Sequence, residues 1–139
     1  MFTCQHLVRF DDVDGAGIVY YPRFFHFCHK SFEDLFNQKA PLTYPDLINT
    51  RKIGFPTVHI EADYKKPFFY GDTITVKFAV ELIKNSSLLT RYKFSNGHDL
   101  YFSALITIVC MDLTNKKSMP LPHDLKTFFE QFLIAASAS

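Results

Sequence analysis

The chain has no charge of one sign to spare: 15 basic and 14 acidic side chains leave a formal charge of +1 at neutral pH. No arm or block gathers the basic residues, which removes the electrostatic case for a nucleic-acid partner. Long apolar runs are also missing. No stretch reaches membrane-spanning length, and the LIAASAS tail is too short. The amino-terminal MFTCQHLVRFDD has no basic region followed by a long apolar one, so it does not read as a secretion signal. The expectation is a cytoplasmic chain with no membrane partner. Cysteine is scarce and odd in number: Cys4, Cys28 and Cys110 are widely spaced and read as reduced thiols, not a disulfide framework. Tryptophan is absent, and no internal repeat or low-complexity linker divides the chain.

Rings of other kinds are plentiful, with 16 Phe and 7 Tyr in a chain that is 47% hydrophobic. At 139 residues the chain reads as one domain, 1–139, large enough for a real core. So many rings suit a tight core, a subunit interface or an aromatic-tolerant pocket, and composition does not choose among them.

Periodicity sets out the elements. HLVRF reads as a first strand, and the acid–glycine stretch RFDDVDGAGIVYYPR (9–23) breaks it. Pro22 suits a first helical turn, where its missing N–H costs nothing. From Pro22 to about Asn37, Phe24, Phe25, Cys28, Phe32, Leu35 and Phe36 form an apolar stripe, with His26, Lys30, Glu33, Asp34 and Asn37 opposite. Residues 38–54 read as an irregular connection with one short helix. FPTVHIEADY alternates, setting Val58, Ile60, Ala62 and Tyr64 against His59, Glu61 and Asp63. TITVKFAVELI alternates through Ile74, Val76, Phe78, Val80 and Leu82. Asn85–Ser86 and Asn96–Gly97 read as turns around SLLTRYKFS, and LYFSALITIVCM is apolar on both faces like a central strand. Pro120 and Pro122 introduce a closing amphipathic helix through Phe128, Phe129 and Phe132. The class is α+β: an antiparallel sheet curved around one long, buried helix.

The loop before that helix has chemistry of its own. Gly15 and Gly17 permit positive φ and close approach of a ligand. Just beyond lie helix N-terminal amides with no intrahelical partner, which present positive charge. A carbonyl placed there would be polarised, and an oxyanion formed on attack stabilised. The Tyr21 N–H is the donor of choice, as the last amide before Pro22. A carboxylate beside it is able to attack the carbonyl or to activate water.

DVDGAGIVYYPRFF resembles the D-x-D-x-x-G-x-V-Y-Y signature of the 4-hydroxybenzoyl-CoA thioesterase family of hotdog-fold enzymes, with Asp12, Asp14, Gly17, Val19, Tyr20 and Tyr21 in its places. ADYKKPFFYGDTITV and KKSMPLPHDL resemble the family's later landmarks, so the likeness runs from about His6 to Phe128. FCHKSFEDLF is similar to the C-H-x-x-[FYW]-E pattern of the prokaryotic 1,4-dihydroxy-2-naphthoyl-CoA thioesterases. The resemblance implies a hotdog fold and hydrolysis of an aromatic or short acyl-CoA thioester, with no metal or redox cofactor. It implies Asp14 as nucleophile or general base, the two roles left open, with Asp12 organising the loop and Asp11 solvated. It further implies a homodimer or homotetramer, with the acid of one subunit acting on a thioester bound across the interface.

Around the acyl group, Gly17, Tyr20, Phe25, His29 and His59 are candidates. Core packing competes for Phe25, and plain surface placement for both histidines. Lys65, Lys66 and Arg91, with Lys93, are candidates for the coenzyme A phosphates, against ordinary solvated charge. Arg23 stands where many family members carry a small polar residue. Glu33, on the polar helix face, is set aside as catalytic acid. His26 and His29 are spaced as a ligand pair, but no third ligand has suitable spacing, so no metal site is expected. Two other readings remain: a thioesterase acting on acyl carrier protein, and a non-catalytic acyl-CoA binder.

Overall fold

The apolar stripe after Pro22 forms a helix, α1 (Arg23–Lys39), in the computed structural model, which describes residues 1–134. The last residues of the LIAASAS tail, 135–139, lie outside the described residues. Before α1 come a strand, β1 (Phe2–Leu7), and a 3-10 turn (Phe10–Asp12). β1 therefore starts earlier than HLVRF suggests and stops sooner, because the Asp12 carboxylate accepts the Arg9 amide and curls the chain into the turn. The buried face of α1 is Phe24, Phe27, Cys28, Ser31, Phe32, Leu35 and Phe36. Phe27 thus takes the inward place expected of Phe25, which is half-buried, since three- and four-residue steps from Phe24 reach Phe27 and Cys28.

A short helix, α2 (Tyr44–Asn49), is capped by the Thr43 hydroxyl, which accepts the Asp46 N–H at 3.2 Å. The strands follow: β2 (Ile53–Gly54), β3 (Thr57–Tyr64), β4 (Thr73–Ile83), β5 (Ser87–Asn96), β6 (Asp99–Val109), β7 (Met111–Asp112) and β8 (Lys117–Ser118). The closing helix, α3 (His123–Glu130), ends before Phe132, which is nevertheless buried. The main sheet is antiparallel in the order β1-β4-β5-β6-β3, and β2-β7-β8 form a small second sheet. The Gly97–His98 pair makes the β5–β6 turn, one residue later than Asn96–Gly97, with Asn96 opposite Asp99.

Rings from α1 and α3 meet the inner sheet face. The Phe24 ring centroid lies 4.7 Å from that of Phe102, and Phe32 stacks on Phe129 at 6.1 Å. All the phenylalanines but Phe10, Phe25, Phe55 and Phe69 are buried, so the rings chiefly build the core. Each buried ring contributes about 2 kcal/mol. Two strand expectations fail for local reasons. Leu82 is exposed because a bulge between Val80 and Leu82 reverses the alternation of β4. All of β3 is exposed, including Val58, Ile60 and Tyr64, because it is an edge strand.

Candidate active site

The acid–glycine stretch forms a small hairpin. Val13 bridges Val19, the Asp14 N–H donates to the Ile18 carbonyl at 2.9 Å, and Gly17 turns the chain at φ +80°. The segment FFYGD holds the hairpin from behind. Ile18 bridges Phe69, the Val19 N–H donates to the Phe68 carbonyl, and the Tyr70 N–H donates to the Gly17 carbonyl at 3.1 Å. Asp72 braces that support, its carboxylate accepting the Phe69 N–H at 2.8 Å. The two motifs, some fifty residues apart in sequence, are one structural unit.

The three acids part company here. Asp12 is 3% exposed, and its carboxylate accepts the Arg9 N–H and the Arg23 Nε–H, each at 2.8 Å. Its carbonyl accepts the Tyr20 N–H. Burial pushes the Asp12 carboxyl up, but the Arg9 amide and the Arg23 guanidinium outweigh burial and hold it below the usual carboxylate range. Arg23, the unusual residue after Pro22, thus fastens the loop base to α1. Asp11 is 75% exposed and only 3.4 Å from Arg23 Nη2. Asp14 is exposed at the hairpin tip, and its Oδ1 accepts the Ala16 N–H at 2.9 Å.

Most amides at the start of α1 are already used: Arg23, Phe24 and Phe25 donate to the carbonyls of Tyr20, Tyr21 and Pro22. The Tyr21 N–H donates to no acceptor among the described residues. Tyr64, from β3, donates its hydroxyl proton to the Tyr21 carbonyl at 3.2 Å and packs its ring on Phe24 and Phe102.

Two clefts open between α1 and β3. The first, about 280 Å³, lies between Tyr21, Phe24, Tyr64, Lys65 and Lys66. The second, about 80 Å³, is lined by Phe25, His29, Tyr44, Ile60, Tyr92 and Ile106, among others. Phe25 and His29 therefore face a cavity, and Lys65 and Lys66 lie beside Tyr21. Lys66 also pairs with Asp99 at 2.7 Å. Tyr20 is exposed and touches the Tyr21 ring edge-on. His59 sits opposite Thr107 on β3, outside the lining of either cleft. Arg91 is elsewhere too, on the sheet face turned away from α1, where it binds Glu81 and Ser103 at 2.9 Å each. In one chain, then, Arg91 does not converge with Lys65 and Lys66.

Glu33 lines neither cleft, but it is half-buried and, one helical turn on, pairs with His29 Nε2 at 2.8 Å. Burial first, and then the charge of Glu33, push the Tyr44 hydroxyl above its ordinary value. Tyr44, Tyr64 and Tyr92 are site residues that sequence reasoning missed. The alternation of SLLTRYKFS marks Tyr92 as inward-facing, whereas Tyr44 lies in a segment read only as a connection. Among the described residues, the group with metal-ligand chemistry is Cys4, His6 and Asp34, away from both clefts.

Residues 8–129 match the model of the thioesterase-like superfamily. A 1,4-dihydroxy-2-naphthoyl-CoA hydrolase from Prochlorococcus marinus (strain NATL2A) is 32% identical, over 91% of this chain and 86% of that one. The enzyme of the same name from Acaryochloris marina is 29% identical over 94% and 96%. The crystal structure of a 1,4-dihydroxy-2-naphthoyl-CoA thioesterase from Synechocystis superimposes with a TM-score of 0.81 at 28% identity, covering 92% of this chain and 94% of that one. With its curved sheet, its central helix and this match over nearly its whole length, the chain belongs to the thioesterase-like superfamily and is a thioester hydrolase of the hotdog fold.

Proposed function

We propose that the protein hydrolyses an aromatic acyl-CoA thioester of the 1,4-dihydroxy-2-naphthoyl-CoA kind to the free acid and coenzyme A. The observation that carries this reading is the pairing, on one loop, of an exposed carboxylate, Asp14, with an amide, Tyr21 N–H, that no described residue uses. The thioester carbonyl oxygen accepts the Tyr21 N–H at the positive end of α1, and the negative charge that develops during attack is stabilised there. Asp14 attacks the carbonyl carbon or takes the proton of an attacking water. The aromatic lining at Phe25, Tyr44 and Tyr92, with the polar edge of His29, suits a hydroxylated ring better than a long alkyl chain. Lys65 and Lys66, beside Tyr21, are suited to the coenzyme A phosphates.

The working unit is a homodimer joined along β3. Its eight residues are exposed, it offers an unpaired edge with Val58, Ile60 and Tyr64, and both clefts border it. Neither cleft alone reaches the ~300 Å³ typical of a site for a ligand of this size, and a second copy across β3 would deepen both.

The test is thiol release from benzoyl-, hydroxybenzoyl-, dihydroxynaphthoyl-, short- and long-chain acyl-CoA and one acyl carrier protein thioester, with wild type and Asp14→Asn. Preference for the dihydroxynaphthoyl thioester, with turnover about 100-fold lower in the variant, is the expected result. A preference for the carrier-protein thioester would replace the substrate. Silence across the panel, with coenzyme A still bound, would leave a binder.

A further inference from the structure

Among the described residues, the fold gathers a set of metal-ligand side chains other than His26 and His29 where β1 packs on α1. Cys4 and His6 stand two residues apart on the inner face of β1, and Ser31 and Asp34 face them from successive turns of α1. His6 Nε2 lies 3.6 Å from Cys4 Sγ, 3.8 Å from Asp34 Oδ2 and 2.9 Å from Ser31 Oγ. The ligand atoms of Cys4, His6 and Asp34 all lie within 4.8 Å of one another. A tetrahedral zinc ion, about 2.0–2.3 Å from nitrogen, oxygen and sulfur donors, holds those donors roughly 3.3–3.7 Å apart. The sulfur–nitrogen pair already has that spacing, and small side-chain movements bring in the carboxylate.

We propose that Cys4, His6 and Asp34 form a binding site for one zinc-class divalent cation that ties β1 to α1, with Ser31 Oγ or a water as the fourth donor. The sulfur–nitrogen–oxygen set favours a borderline transition-metal ion over magnesium or calcium, which prefer all-oxygen shells. The arrangement of a nucleophilic triad is ruled out by geometry. Asp34 and Ser31 approach the same nitrogen of His6, and the Ser31 hydroxyl is buried, donating to the Phe27 carbonyl at 2.8 Å. That same donation fixes the serine oxygen in place toward His6.

The His6 side chain is only 8% exposed, and its ring is held against the Ser31 hydroxyl at 2.9 Å. Binding replaces the Cys4 S–H bond with a sulfur–metal bond and releases that proton to solvent. Lys30 and His26, also on α1, bear on His6 and work against a cation, while Asp34 and Asp12 favour one. A polar cavity of about 490 Å³, lined by His6, Arg9, His26 and Lys30, gives a path from solvent.

Cobalt(II) titration of the full chain tests this, because a thiolate–cobalt bond absorbs in the near ultraviolet. The expected result is one equivalent bound with that absorption, zinc displacing it, and its loss in Cys4→Ser but not in Cys110→Ser. Asp34→Asn, the variant least disturbing to packing, should bind cobalt at least about tenfold more weakly, circular dichroism confirming its fold. Absence of saturable binding in folded wild type, thiolate absorption that survives Cys4→Ser, or wild-type affinity in folded Asp34→Asn would each overturn the proposal. The four side chains would then be a hydrogen-bonded packing cluster only.

Discussion

The base and the tip of the 9–23 loop are made from the same few residue types, and the fold treats them in opposite ways. At the base, Asp12 is buried, accepts two hydrogen bonds and is paired with Arg23. At the tip, Asp14 is exposed and holds only the Ala16 amide through its side chain. An acid tied on every side is stable but chemically silent. An exposed acid with a free oxygen is open to an incoming ligand. Two residues of separation thus divide one motif into a part that holds the loop and a part left open to solvent.

The sharpest break of that contrast is Asp14→Asn. Turnover should fall about 100-fold or more, roughly 2.7 kcal/mol on the barrier, while the thermal midpoint stays put, as steady-state kinetics and calorimetry will show. Asp12→Asn should do the reverse, costing about 2 kcal/mol of stability by urea unfolding, because it leaves Arg23 half-buried without its charged partner. The same pair has a pH signature. The Asp12 carboxyl lies below its ordinary value in the fold, so its contribution is complete at neutral pH. It should be lost as pH falls through and below the usual carboxylate range, and Asp12→Asn should flatten that part of the stability curve. Gly17→Ala should cost about 1 kcal/mol from its φ of +80°, with open space around the new methyl excluding a clash as the cause. Asp11→Ala, at an exposed and long ion pair, should change stability by less than about 0.5 kcal/mol.

Much of this was legible because it is local. The spacing of acids, glycines and tyrosines before Pro22 marked the loop, alternation marked β3 and β4, turn residues bounded β5, and an apolar run marked β6. The organising role of Asp12 followed from its place in the motif. What escaped was decided by tertiary position. Phe27 keeps helical step with Phe24 and Phe25 with Cys28 and Phe32, and the position of the sheet decides which of the two is buried. The exposure of Val58 and Ile60 depends on β3 being an edge, which no residue of β3 encodes. The outward turn of Leu82 depends on one bulge. The His29–Glu33 pair is different: four apart on one helix, the two meet through local geometry that the spacing already held. Cys4, His6 and Asp34 come together only because β1 reaches α1 across some thirty residues.

The strand order also carries a message about time. β4, β5 and β6 are joined by tight turns, but β1 must wait for a partner more than sixty residues away, with Phe2 opposite Phe78. Closing so long a loop costs entropy before any contact rewards it, so the meander should assemble first and the amino-terminal strand dock last. Phe2→Ala should then accelerate unfolding while leaving the refolding rate nearly unchanged, whereas Phe94→Ala should slow refolding. During synthesis β1 leaves the ribosome well before the strand it pairs with, and it should be among the last to find its place.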